Sequence, residues 1–188
     1  MPPLALLLLA AQVGGTVPGA VPSTGRYAAQ CTAVRVIASD REAPPKDMAF
    51  SSRETLDLLF LPRVRQDLRG EHLMQLKVFT PGGFLYQVIT VPFVGGARPG
   101  WTTNRAAGSA DPLPPRVVPG FPRPLEVQRL EPVSGGSSSR REYELRARLP
   151  VAGTSITLSS LYGTWSVQPY LDGGTEPCGP ATRFTIRD

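Results

Sequence analysis

His72 is the only histidine of the chain, so any serine-histidine-aspartate relay would have to run through it, and no Gly-x-Ser-x-Gly elbow accompanies it. Its place at the start of a strand-like run reads as a rim position. Asp40, Glu42 and Asp47 fall in one loop, and Asp172 and Glu176 in another. Carboxylates so grouped could offer calcium its oxygen ligands, but neither set has the EF-hand spacing. Turn chemistry and solvation account for both, and no metal is expected. Gly82-Gly83 and Gly95-Gly96 read as turn glycines, with no helical pattern behind them whose N-terminus could cradle a phosphate. No catalytic residue and no cofactor follow from these positions, so an enzyme is not expected.

Cys31 and Cys178 are the only cysteines, and neither a metal-ligand spacing nor a Cys-x-x-Cys redox motif is present. In an exported protein an even count favours a bridge, while two buried free thiols are the alternative. Trp101, Arg98 and Arg105 are the candidate binding residues. Tryptophan and arginine are enriched at interface hot spots, and the prolines around these three lower the entropy lost when such a loop is ordered. The alternative is a Trp101 that tucks against the core. Trp101, Tyr162 and Tyr170 could also serve as stacking platforms for a carbohydrate, although core packing uses aromatic rings equally well.

Composition limits what could position these groups. The chain has 188 residues, fitting one domain, and its 21 prolines and 19 glycines exclude long helices and demand frequent turns. An apolar fraction of 41% with 19% charged residues can still build a packed core. The net charge of +5 is spread evenly: residues 1–93 hold nine basic and seven acidic side chains, and residues 94–188 hold eleven and eight. Without a concentrated basic block or a recognition motif, nucleic acid is not an expected partner.

Residues 1–25 read as an export signal and flexible leader. The apolar run from Leu4 to Ala11 is shorter than the roughly 20 residues of a membrane span. Small residues at Ala10 and Ala11 suit a signal peptidase, and a Gly-, Pro- and Thr-rich stretch follows. No Lys or Arg precedes the run, so the free amino terminus would supply the charge, or the true start lies upstream. A buried N-terminal strand is the alternative.

Residues 26–188 then read as one domain of short strands. Cys31 to Ala38 alternates, with Val34 and Val36 on one face; Thr55 to Leu61 stops at Pro62; Arg63 to Gly70 is polar and connecting. His72–Phe79 and Phe84–Val91 form a hairpin around Thr80-Pro81-Gly82-Gly83, with type II turn chemistry, proline first and glycine second. Met74, Leu76 and Val78 should share a face with Tyr86 and Val88, and Pro92 should end the second arm. The segment 94–124 holds seven prolines and no periodicity, as an irregular insertion would. Tyr143, Leu145, Ala147 and Leu149 point inward by alternation. Trp165, Val167 and Leu171 repeat the pattern, Pro169 argues for an edge or bulge, Asp172-Gly173 is a turn, and Phe184 with Ile186 marks a last strand. About seven or eight strands with turns this frequent read as an all-β sandwich.

At Leu161-Tyr162-Gly163-Thr164-Trp165-Ser166-Val167, Tyr170-Leu171-Asp172-Gly173 and Phe184-Thr185-Ile186, the chain resembles bacterial immunoglobulin-like domains of the macroglobulin kind. These carry a Gly-x-Trp-x-Val strand, an Asp-Gly turn and a terminal Phe-x-Ile strand. The resemblance implies an immunoglobulin-like β-sandwich and a habit of binding or spacing. No thioester Cys-Gly-Glu-Gln sequence occurs, so trapping of proteases is not implied. The expectation is an exported, periplasmic or extracellular, non-enzymatic binding or structural module of an envelope assembly. Its partner would be another envelope or extracellular protein or a polysaccharide. A carbohydrate-binding module is the alternative, and a small hydrolase using His72 a further one.

Overall fold

The structure is a computed structural model that describes residues 29–65, 68, 70–95, 117–118, 125–128, 131–132 and 142–188. The leader 1–25 and the binding candidates Arg98, Trp101 and Arg105 lie outside the described residues. In chain order the strands are β1 (Arg35–Ala38), β2 (Ala49–Ser51), β3 (Asp57–Leu61), β4 (Arg63–Arg65), β5 (Gly70–Phe79) and β6 (Leu85–Gly95). They continue with β7 (Val117–Val118), β8 (Leu125–Glu126), β9 (Glu131–Pro132), β10 (Glu142–Glu144), β11 (Ala147–Pro150), β12 (Gly163–Leu171) and β13 (Thr182–Arg187). One four-residue helix, α1 (Ser155–Leu158), is capped by the Thr154 side chain, which accepts from the Ile156 N–H at 3.2 Å. The protein is all-β.

The largest sheet has the order β2-β13-β12-β5-β6 and is antiparallel except where β2 runs parallel to β13. Two shorter sheets, β1-β3-β11 and β4-β10-β9, follow one another along the same chain segments, because β3 and β4 are separated only by Pro62. The Leu145 N–H spans the join and donates to the Pro62 carbonyl at 3.0 Å. Arg63–Arg65 is therefore a strand and not the expected connector. Val64 decides this, since burying it, in register with Tyr143, offsets the polar arginines on either side that face outward. Outside, Glu144 sits between Arg35 and Arg63 at 3.3 Å from each, a cross-strand cluster that orders the two sheet segments.

Both groups of strands supply one core. Phe60 of β3 meets Phe184 of β13 at 5.6 Å between ring centroids, and Trp165 of β12 stacks on Phe184 at 6.4 Å. Tyr143, Leu145, Ala147 and Leu149 are all buried, as their alternation requires, and so are Val34, Val36, Phe184 and Ile186. The Cys31–Cys178 disulfide is formed and buried, with Cα atoms 5.1 Å apart across 147 positions of sequence. Gly179 lies against it so tightly that a Cβ there would stand 2.7 Å from the Cys31 carbonyl oxygen.

The hairpin differs from the sequence expectation in its turn and in one face. Gly83, with φ of 79°, takes the left-handed conformation while Gly82 does not, so the turn is not type II. It is the longer loop in which a tight turn, closed by the Gly83 N–H to the Thr80 carbonyl at 2.9 Å, is followed by a left-handed glycine. The register then shifts at Val78/Phe79. That bulge turns Tyr86 toward Trp165, 5.2 Å between centroids, but leaves Val88 outside and 40% exposed. Opposite Met74 and Leu76 stand Val91 and Ile89 instead.

Pro92 departs from expectation and Pro169 meets it, for one reason. Pro92 does not end its strand, because β6 is an edge strand and the Pro92 carbonyl faces outward, accepting from the Gln128 N–H at 2.9 Å. Its nitrogen faces the same way, so no ladder bond is lost. Pro169 pairs with Leu76 of β5 but lies beyond the last β12–β13 pair at Val167 and Thr182, so its other side is a local edge, where its carbonyl accepts from the Cys178 N–H at 2.9 Å. The missing donor again falls where no strand needs it.

Candidate binding cleft

The turn after β12 carries the residue that shapes the site. Asp172 and Gly173 have φ of 52° and 70°, and the Gly174 N–H donates to the Leu171 carbonyl at 2.9 Å, which makes a type I′ turn. Aspartate tolerates the left-handed region better than most residues, and its short carboxylate can reach the neighbouring strand. It does so twice. Oδ1 accepts from the Leu73 N–H at 2.8 Å, and Oδ2 lies 2.8 Å from His72 Nδ1. A carboxylate oxygen accepts, which assigns the donor role in that contact to His72 Nδ1–H. The Asp172 N–H returns a bond to the Leu73 carbonyl at 2.9 Å.

His72 is thus no free rim residue: its side chain is 10% exposed, held by Asp172 and tilted over Phe93 at 5.5 Å. The dyad borders a cleft of about 460 Å³, a size typical of small-ligand or side-chain sites. Its apolar walls come from Leu73, Pro92, Phe93, Val94, Leu125 and Val127. Glu71, Thr90 and the dyad are its polar members. The Gln128 side chain holds the Leu125–Val127 side of the cleft in place by pairing with Arg146 backbone, its Oε1 accepting from the Arg146 N–H at 2.8 Å and its Nε2 donating to the Arg146 carbonyl. Asp172→Gly keeps the turn conformation but removes both carboxylate bonds. We expect urea denaturation to report a loss of about 1–3 kcal/mol, as for bonds to a charged group.

The other sequence candidates do not assemble. Glu176 is not among the cleft residues. Asp40 and Glu42 are exposed, and Asp47 lies 2.6 Å from the Arg187 guanidinium. Desolvation acts to raise the Asp47 carboxyl, but the Arg187 and Ala49 hydrogen bonds and the Arg187 charge outweigh it and hold the group below its ordinary range. The Arg53 guanidinium, bonded at 2.8 Å, likewise lowers Asp188. Among the described residues no three His, Cys, Asp or Glu side chains gather where they could hold a metal ion. Tyr170 is buried with Lys77 3.9 Å above its ring, which leaves it no free stacking face, and Tyr162 is half-buried against the core.

The chain matches no known protein family, no curated protein and no solved structure. Among the described residues no helix is long and apolar enough to cross a membrane.

Sequence reasoning missed the cleft walls, since Phe93 and Val94 follow a proline that was expected to stop the strand. The available signal was the Asp-Gly turn, which needs a partner for its carboxylate.

Proposed function

We propose that this chain is an exported, non-enzymatic binding module on an immunoglobulin-like β-sandwich, and that it engages an envelope or extracellular protein at the cleft beside His72 and Asp172. The observation that carries this reading is that Val94 and Leu125 both line the cleft. In sequence, Arg98, Trp101 and Arg105 fall between these two wall residues. An apolar cleft with a few convergent polar groups is the usual form of a binding site, and tryptophan and arginine are the residue types enriched at interface hot spots. Support for the sandwich comes from two groups of strands, antiparallel but for the β2–β13 pair, that share one core. Support for export comes from the disulfide, a bond characteristic of oxidising compartments.

The test is capture from native-host envelope extract by the full chain, with Trp101→Ala and Leu125→Arg beside it. A partner retained by the parent should bind Trp101→Ala with an affinity lower by about 2 kcal/mol, with melting temperature nearly unchanged. Loss of melting temperature with affinity retained would place Trp101 in the core and withdraw the reading.

The second reading is hydrolysis, favoured by the 2.8 Å His72–Asp172 contact, which is the orienting half of a catalytic triad. Thr90 is the only hydroxyl or thiol among the described residues lining the cleft. A panel of ester, glycoside and peptide substrates decides it, because activity lost in His72→Ala would replace the binding reading.

A further inference from the structure

We propose that two copies of the chain associate by pairing their β6 strands antiparallel about a twofold axis at Val88. β6 is the outermost strand of the five-stranded sheet. The opposite edge, β2, is three residues long and flanked by the Asp47–Arg187 ion pair, two of the devices by which natural sheets discourage strand addition. β6 is eleven residues long, and its stretch Leu85-Tyr86-Gln87-Val88-Ile89-Thr90-Val91 holds neither a charge nor a proline.

Among the described residues the outer side of that stretch is open. The Pro92 carbonyl points to the free edge, where Gln128 meets it, and alternate residues of a strand turn their N–H and C=O to the same side. Thr90 and Val88 therefore present their backbone groups outward. Among the described residues no strand pairs with this side of β6 between Leu85 and Val91; the isolated bridge there joins Phe93 to Gln128. At its far end the hairpin leaves Phe84 76% and Leu85 54% exposed.

A second copy fits this edge better than a charged partner does. An uncharged strand meets itself without like-charge repulsion, and the charge opposite Val88, Lys77, sits over the Tyr170 ring. With Val88 on the axis, Thr90 of one copy faces Tyr86 of the other and Gln87 faces Ile89, pairs of β-forming residues. The contact is isologous, so it closes at two copies. Its paired length is about 23 Å at roughly 3.3 Å per residue, short enough that the dimer should dissociate on dilution.

Sedimentation velocity of the oxidised full chain over a micromolar-to-millimolar series should show twice the chain mass at the upper end and the chain mass at the lower. Val88→Lys sets two like charges against each other at the axis, beside the Lys77 that faces position 88 within each copy, and should remain monomeric throughout, with unchanged circular dichroism as the control that the strand is kept. Val88→Cys under mild oxidation should give a covalent dimer on a non-reducing gel. A parent that is monomeric at every concentration would overturn the proposal. So would a Val88→Lys protein that dimerises like the parent, or a Val88→Cys protein that yields no covalent dimer.

Discussion

Reduction of the Cys31–Cys178 bond is expected to lower the unfolding free energy by about 4–5 kcal/mol, because the bridge closes a loop spanning nearly the whole described chain. Loop-closure entropy grows slowly with length, so this is close to the largest effect one disulfide can have. Native stabilities are about 5–15 kcal/mol, and the reduced protein should therefore be marginal. The structure adds a second cost. The Cys31 N–H donates to the Cys178 carbonyl and the Cys178 N–H to the Pro169 carbonyl, both at 2.9 Å, so the bridge also holds the segment that covers the end of β12. Thermal melts with and without reductant, and of Cys31→Ala with Cys178→Ala, measure the loss. A reduced protein that melts within a few degrees of the oxidised one would show that the strands suffice without the bridge.

Trp165→Ala is expected to cost about 3–5 kcal/mol, the range for deleting a fully buried large aromatic. Trp165 is fully buried, stacks on Phe184 and takes the Tyr86 ring edge-on at 5.2 Å. Its Nε1–H donates to the Leu161 carbonyl at 2.9 Å, which the substitution strands without a partner. Trp165→Phe separates the two contributions: it keeps most of the packing and loses the donor. We expect it to fall between the parent and Trp165→Ala in a urea titration. Trp165→Phe as unstable as Trp165→Ala would assign the effect to the hydrogen bond and not to the cavity.

The strands with clean alternation were legible in the sequence, and so was the disulfide. Tyr143 to Leu149 and Phe184 to Ile186 bury every second side chain because a period of two leaves only one face to bury. Composition alone excluded a helical protein, since a proline or glycine at more than one position in five breaks any long helix. Only the tertiary structure decided the rest. Arg63–Arg65 is a strand because Val64 finds Tyr143 across a sheet, a contact that no local pattern encodes. Val88 faces solvent because one bulge shifts the register, and a shift of one residue inverts every face beyond it. The cleft depends most on long-range contacts: Asp172 reaches a histidine one hundred residues earlier, and only the packing of β12 against β5 brings them within 2.8 Å. Propensity and periodicity act over a few residues, so they determine which segments extend and which side is apolar. Which edges meet, and therefore where a site can form, is set by contacts between segments far apart in the chain.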